Sequence, residues 1–217
     1  MIHLRMKERE LLPNYIISAG ALRQLNRTCL SSSAKYINST YYASDDVYLL
    51  LRAYSVNKAV LQANESGKCY YCESKTEYSS KLQVEHYRPK AMVDKLDHDG
   101  INTLPGYYWL ALEWSNLLLS CSNCNKRDAK GFRFPILGQR AMPINPVTLP
   151  NHLDRSQCLA SGNPLLLELP VLLNPEIDHP EEFLRFDDKG VLVSHGANAF
   201  RADQTITILK LNRDLLL

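Results

Sequence analysis

Long apolar runs are missing from this sequence. No stretch is apolar for long enough to cross a bilayer, and the opening Met1-Ile2-His3-Leu4-Arg5 lacks the apolar centre of a secretion signal. A cytoplasmic protein without membrane attachment is therefore expected. A strong net charge is missing too: 25 basic residues stand against 23 acidic ones, a formal balance of +2. That is too small to prove a nucleic-acid partner. Internal repeats and low-complexity tracts are absent, and a composition of 45% hydrophobic and 22% charged residues argues against wholesale disorder. The 217 residues suffice for one sizeable domain, or for a compact catalytic core with an accessory region on either side.

Cysteine is scarce but patterned. In a reducing compartment the six cysteines argue for metal binding or redox chemistry before a disulfide framework. Cys69-Tyr70-Tyr71-Cys72 and Cys121-Ser122-Asn123-Cys124 form two Cys-x-x-Cys knuckles. Zinc takes four soft or borderline ligands in a tetrahedron, and two knuckles supply four thiolates, so a structural zinc is the leading reading. The gap between them exceeds that of an ordinary zinc ribbon, so the intervening segment has structure of its own. A redox pair would open a helix in a βαβ context, which this sequence does not display. Four unrelated buried thiols are the other alternative, and Cys29 and Cys158, alone in sequence, read as ordinary buried thiols.

Residues 1–66 read as helical. Ser44-Asp45-Asp46 is placed to cap a helix with Val47, Leu50, Leu51, Tyr54, Val60 and Leu61 on one face, stopped by Gly67. This region either packs on the core or docks a partner. Lys81 to His86 reads as a short strand ended by Pro89, and Asp94 to Gly106 as loop. The aromatic run Tyr107 to Trp114 reads as core behind a site, with base stacking as the alternative, and Leu117-Leu118-Leu119 as buried. A helix is expected from about Ser122 to Lys130, closed by Gly131, with its basic residues outward. Lys126, Arg127, Lys130, Arg133 and Arg140 stand there against Asp128 alone, a patch able to hold phosphates or simply a solvated face. Prolines from Pro143 to Pro180 exclude long helices. Asp187-Asp188-Lys189-Gly190 signals a hairpin between Phe183–Phe186 and Val191–Val193, and Ala199 to Leu217 a closing helix with Ile206, Leu209 and Leu211 inward.

Between and just after the knuckles lie Glu85-His86, Asn116 and Asn125. Phosphodiester hydrolysis needs an activated water, charge relief at the phosphate and stabilisation of the leaving oxygen. A neutral histidine can take the water's proton, and a hard divalent cation prefers carboxylate and amide oxygens. Neighbouring residues on a strand face opposite ways, so an irregular strand end is needed for Glu85 and His86 to act together.

This order, Cys-x-x-Cys, Glu-His, Asn, Cys-x-x-Cys-Asn, resembles the HNH endonuclease superfamily in the form that ends in Asn. More narrowly, Val84-Glu85-His86-Tyr87-Arg88-Pro89-Lys90, Tyr108-Trp109-Leu110-Ala111, Trp114-Ser115-Asn116 through Cys121, and Phe134-Pro135 resemble the PtuB-like HNH nucleases of Septu and retron-associated anti-phage systems. Leu172-Leu173-Asn174-Pro175 with Asp178, and Ala202 to Arg213, fit the same family. The resemblance runs from about residue 58 onward, and the chain stops at Leu217 where such relatives generally continue with more helix. It implies an α+β fold: a zinc-stapled ββα-metal nuclease core over 67–140, a helical region over 1–66 and an accessory region over 141–217. It further implies His86 as general base, Glu85 and Asn125 on a catalytic Mg²⁺ or Mn²⁺, and Asn116 bracing the loop that orients His86. Arg88, Lys90, Lys126, Arg127 and Lys130 are implied as phosphate contacts, DNA as substrate, and a PtuA-type ATPase as partner. The alternatives are a catalytically silent zinc-binding adaptor and an RNase acting on structured RNA.

Overall fold

The computed structural model describes residues 17–54, 67–75, 80–97, 100–149 and 152–214. Helix α1 (Ala19–Leu30) starts at Ser18, whose hydroxyl accepts from Ala21 N, and it buries Ala21, Leu22, Leu25 and Thr28 along one stripe. Helix α2 (Asp45–Tyr54) starts at Ser44, whose Oγ accepts from Val47 N at 3.3 Å. Val47 and Leu51 are fully buried, but Leu50 is 42% exposed, so the inward face is narrower than the sequence suggested. Val60 and Leu61 lie outside the described residues. Both helices pack inward: α1 against the Tyr108–Leu110 turn, α2 against the central strand β4 introduced below.

The centre is a pair of short antiparallel strands, β1 (Gln83–His86) and β4 (Leu117–Ser120), with Glu85 opposite Leu118 and His86 opposite Leu117. Leu117, Leu118 and Leu119 are wholly buried, each contributing about 1.5–3 kcal/mol relative to exposure. Around them stand Tyr71, Tyr87, Tyr107, Trp109, Trp114 and Phe134, with edge-to-face contacts such as Tyr87 on Phe134 (centroids 5.1 Å apart). Every residue from Tyr107 to Trp114 is buried, in keeping with a core role.

Between β1 and β4 the chain departs from the sequence expectation of a loop. Residues of that stretch form an antiparallel hairpin, β2 (Met92–Asp97) with β3 (Gly100–Pro105). Its charges conceal the strands, because an antiparallel hairpin tolerates charge on a solvated face. The hairpin base closes tightly: Tyr107 N donates to Pro89 O (2.8 Å) and Gly106 N to Ala91 O (3.1 Å). A Cβ on Gly106 would lie 2.3 Å from Lys90 O, so only glycine allows this approach.

Helix α3 is a second departure, spanning only Ser122–Asn125 rather than reaching Lys130. Lys126 is extended (φ −60°, ψ 160°), and the chain turns so that Lys130 points inward before Gly131 at φ +44°. Strands β5 (Val147–Leu149) and β6 (His152–Leu153) follow in a long irregular stretch. The expected hairpin is present as β7 (Leu184–Phe186) with β8 (Leu192–Ser194). Helix α4 (Ala199–Leu209) ends earlier than expected, at Lys210 in the left-handed conformation (φ 51°). Leu209 and Leu211 are buried and Ile206 is only partly so. One hydrophobic core takes residues from Ala21 to Leu211. Among the described residues, no helix is long and apolar enough to cross a membrane.

Candidate active site and metal centre

The two knuckles meet. The sulfurs of Cys69, Cys72, Cys121 and Cys124 all lie within 4.8 Å of one another, and Cys72 Sγ is 3.7 Å from Cys121 Sγ. With metal–sulfur bonds of about 2.3 Å, a tetrahedral thiolate site spaces its sulfurs by a little under 4 Å, so the group fits a thiophilic ion such as zinc. Local structure accounts for the convergence. Tyr70 N donates to Leu119 O (2.8 Å), pinning the first knuckle to β4, and β4 runs directly into Cys121. Hydrogen bonds from the other sulfurs, Cys121 first, pull the Cys72 thiol down strongly. Those from Cys124 bring Cys121 to about 7, whereas burial pushes Cys69 up. Cys72 Sγ also lies 3.3 Å from Ser74 Oγ.

A separate cleft of about 180 Å³ opens at the end of β1, bordered by Glu85, His86, Pro89, Lys90, Asn125, Arg127 and Gly131. His86 is 5% exposed, and its Nε2 lies 3.0 Å from Ala111 O. A carbonyl only accepts, so the network assigns the proton to Nε2 and leaves a lone pair on Nδ1. Burial, reinforced by Lys90 and Lys130, holds the imidazole well below its ordinary pKa, so the ring is neutral at working pH. Tyr42 packs edge-on against it, with centroids 4.7 Å apart, and Lys90 Nζ sits 4.6 Å from the same tyrosine ring. Tyr42 comes from the N-terminal part, and no motif in the sequence could have singled it out.

Asn125 Nδ2 donates to Gln83 Oε1 (2.8 Å), which leaves its carbonyl oxygen for another partner. Glu85 borders the same cleft. Burial raises its carboxyl above the usual range, opposed by Lys130, whose ammonium bonds both the carboxylate and His86 O. One carboxylate and one amide oxygen form a hard donor set suited to a divalent cation. Asn116 lies behind the cleft: its Oδ1 accepts from Arg88 N (2.8 Å), while Nδ2 donates to Arg88 O (3.1 Å) and Leu110 O (3.3 Å). A single amide thus clamps the backbone two residues beyond His86.

The basic residues divide. Lys90 and Arg127 border the cleft, and Lys126, exposed beside it, pairs with Asp128 at 3.5 Å. Arg88 and Lys130 are corrections to the phosphate-contact expectation, because both are buried. Arg88 is 1% exposed, bound to Glu168 Oε2 (2.8 Å) and Leu165 O (2.9 Å). It borders a different cavity of about 310 Å³ with Leu137, Leu169 and Arg201. Lys130 is 0% exposed and spent on Glu85. Desolvating either charge requires a fixed partner, which a passing phosphate does not supply. Cys29 and Cys158 stand apart from the four-sulfur group, and burial lifts the Cys29 thiol to about 12, so neither is a poised nucleophile.

Comparison with known proteins finds relatives by sequence alone: no family model matches, and no solved structure does. The chain is 35% identical over 156 residues to a Septu protein PtuB from Bacillus mycoides (strain KBAB4), covering 72% of this chain and 46% of that protein. It is 29% identical over 157 residues to a Septu protein PtuA of the same strain, covering 70% of this chain and 18% of that protein. A PtuB from Bacillus thuringiensis is 36% identical over 69 residues, 31% of this chain and 21% of that protein. The chain thus spans less than half the length of the curated relatives it matches.

Proposed function

Taking a PtuB-like chain as the premise, we propose that it is a metal-dependent endonuclease of HNH type, acting on DNA in anti-phage defence together with a PtuA-type ATPase. The observation that carries this reading is the cleft at the end of β1. It gathers a buried neutral imidazole with a lone pair on Nδ1, a carboxylate and an amide oxygen, under a rim of Lys90 and Arg127. The chain order supports it as well: β1, β4 and α3 form a ββα sequence interrupted by the β2–β3 hairpin.

His86 Nδ1 accepts the proton of the attacking water, and the Nε2 bond to Ala111 O holds the ring in that tautomer as charge develops on it. Asn116 fixes the segment after His86 and so keeps the ring aimed. Lys90 and Arg127 hold backbone phosphates, which position the duplex without reading its sequence. Glu85 and Asn125 would hold Mg²⁺ or Mn²⁺, which supplies charge relief at the scissile phosphate and leaving oxygen when bound. Cys69, Cys72, Cys121 and Cys124 would hold zinc, which would staple the first knuckle to the end of β4 when bound. A partner of PtuA type is favoured because the relatives that this chain matches carry both Septu names, PtuB and PtuA.

The test is cleavage of plasmid DNA with Mg²⁺ or Mn²⁺ by wild type and His86→Ala, each alone and with the ATPase. Loss of cleavage in the folded, zinc-loaded variant is expected. Near-full cleavage by His86→Ala removes His86 as base. Wild type that never cuts DNA but degrades structured RNA shifts the substrate class.

A further inference from the structure

The C-terminal segment reaches the metal centre through Arg213. Helix α4 stops at Leu209, Lys210 takes the left-handed turn, and the next residues fold back instead of continuing the helix. Asn212 uses that turn to grip β8, its Oδ1 accepting from Leu192 N (2.9 Å) and its Nδ2 donating to Leu192 O (2.7 Å). Arg213 then points at the four sulfurs: Nη2 lies 3.4 Å from Cys72 Sγ and 3.9 Å from Cys121 Sγ, and Nη1 lies 3.6 Å from Cys124 Sγ. Nη1 also reaches Lys210 O at 3.1 Å and Leu209 O at 3.4 Å, the carbonyls at the end of α4. One guanidinium therefore joins three of the four sulfurs to a helix terminus far away in sequence.

Four thiolates around one divalent cation carry a net charge of −2, which a largely buried site must offset. Donors to the sulfurs lower the electron density on each thiolate and orient it, and residues in that position tune metal affinity by about 10–100-fold. The guanidinium adds a positive charge and two N–H groups directed at different sulfurs, a fork that an ammonium does not reproduce. Cys72 Sγ, at 3.4 Å, is the sulfur nearest to it.

We propose that Arg213 is the charge-compensating cap of the four-cysteine zinc site, so that metal retention and docking of the α4 terminus and the β7–β8 hairpin are thermodynamically linked. Zinc strengthens the hold on Arg213, and a docked Arg213 strengthens the hold on zinc, by the same factor. This rests on the four cysteines holding zinc and is independent of the nuclease chemistry.

The experiment measures zinc content and the rate of zinc release from the full chain into excess chelator, for wild type, Arg213→Met, Arg213→Lys and Arg213→Gln. Release is expected to quicken about tenfold or more in Arg213→Met and Arg213→Gln, with Arg213→Lys between them and wild type. Amide exchange across Ala199–Leu209 is read in parallel and is expected to rise when zinc is stripped from wild type. If Arg213 serves only to cap α4, zinc release stays within twofold of wild type in every variant while helix exchange rises, and the proposal falls. Should Arg213→Met not fold, the Lys and Gln variants decide: equal release from the two overturns the role of charge. Wild type devoid of zinc overturns the metal reading itself, a result distinct from zinc held equally well with and without the cap.

Discussion

Replacing Glu168 with alanine strands a cation in the middle of the molecule. Glu168 and Arg88 have side chains 0% and 1% exposed, joined at 2.8 Å. The same carboxylate accepts from Tyr107 OH (2.8 Å) and Ala141 N (2.9 Å), so its removal leaves three donors short of a partner. Breaking one side of a buried ion pair costs about 3–5 kcal/mol, and each orphaned neutral donor about 1–3 kcal/mol. Because the groups act as one network these costs do not add in full, and about 5 kcal/mol is expected. That consumes much of the roughly 5–15 kcal/mol by which such a chain is stable. With a urea slope of about 2 kcal/mol per molar, the unfolding midpoint should fall by about 2–3 M, and the variant will be largely unfolded if wild type sits at the low end. The decisive comparison is the double variant Arg88→Met/Glu168→Leu, expected to recover more than half of the loss because no unpaired charge is left buried there. A Glu168→Ala midpoint within about 0.5 M of wild type at unchanged slope, or a double variant no better than the single, refutes the reasoning. Arg88 also carries the backbone groups that Asn116 clamps, so under the proposed nuclease reading a folded remnant of Glu168→Ala should cut DNA more slowly than wild type.

Other perturbations probe separate parts. Cys124→Ser should lose zinc by elemental analysis and melt well below wild type, since metal-binding energy is folding energy at such sites; full zinc content with unchanged melting would remove the cysteine assignment. Asn116→Ala forfeits three hydrogen bonds and should cost about 1–3 kcal/mol by thermal melting. Asn116→Asp should be at least as damaging, because a carboxylate cannot donate to Arg88 O and Leu110 O; an Asp variant as stable as wild type contradicts the clamp. Gly106→Ala places a methyl group 2.3 Å from Lys90 O and should cost about 1–3 kcal/mol while displacing the rim of the cleft, measured as a lowered melting temperature and, under the proposed nuclease reading, weaker DNA cleavage.

The sequence by itself determined the features set by local chemistry. Two Cys-x-x-Cys spacings specify thiolate pairs whatever lies between them, and the four sulfurs do converge. Ser44 caps α2, the density of Leu117 to Leu119 marks a buried strand, and Asp187 to Gly190 turns a hairpin, because each is dictated by neighbours within a few residues. The order of Glu85-His86, Asn116 and Asn125 between the knuckles made a resemblance legible over the central third. What sequence could not assign was the partner of each charge. Arg88 and Lys130 look like surface cations along the chain, and only the fold places Glu168 and Glu85 against them, turning both inward. Lys126 turns extended and ends α3 after one turn, against a helical pattern that ran from Ser122 to Lys130. Tyr42 on His86 and Arg213 on the cysteines are long-range contacts with no local signature. Local propensity fixes where an element begins and which face is apolar, but burial decides the pairing of charge, since only in the packed interior does an unmatched ion cost enough to select its neighbour.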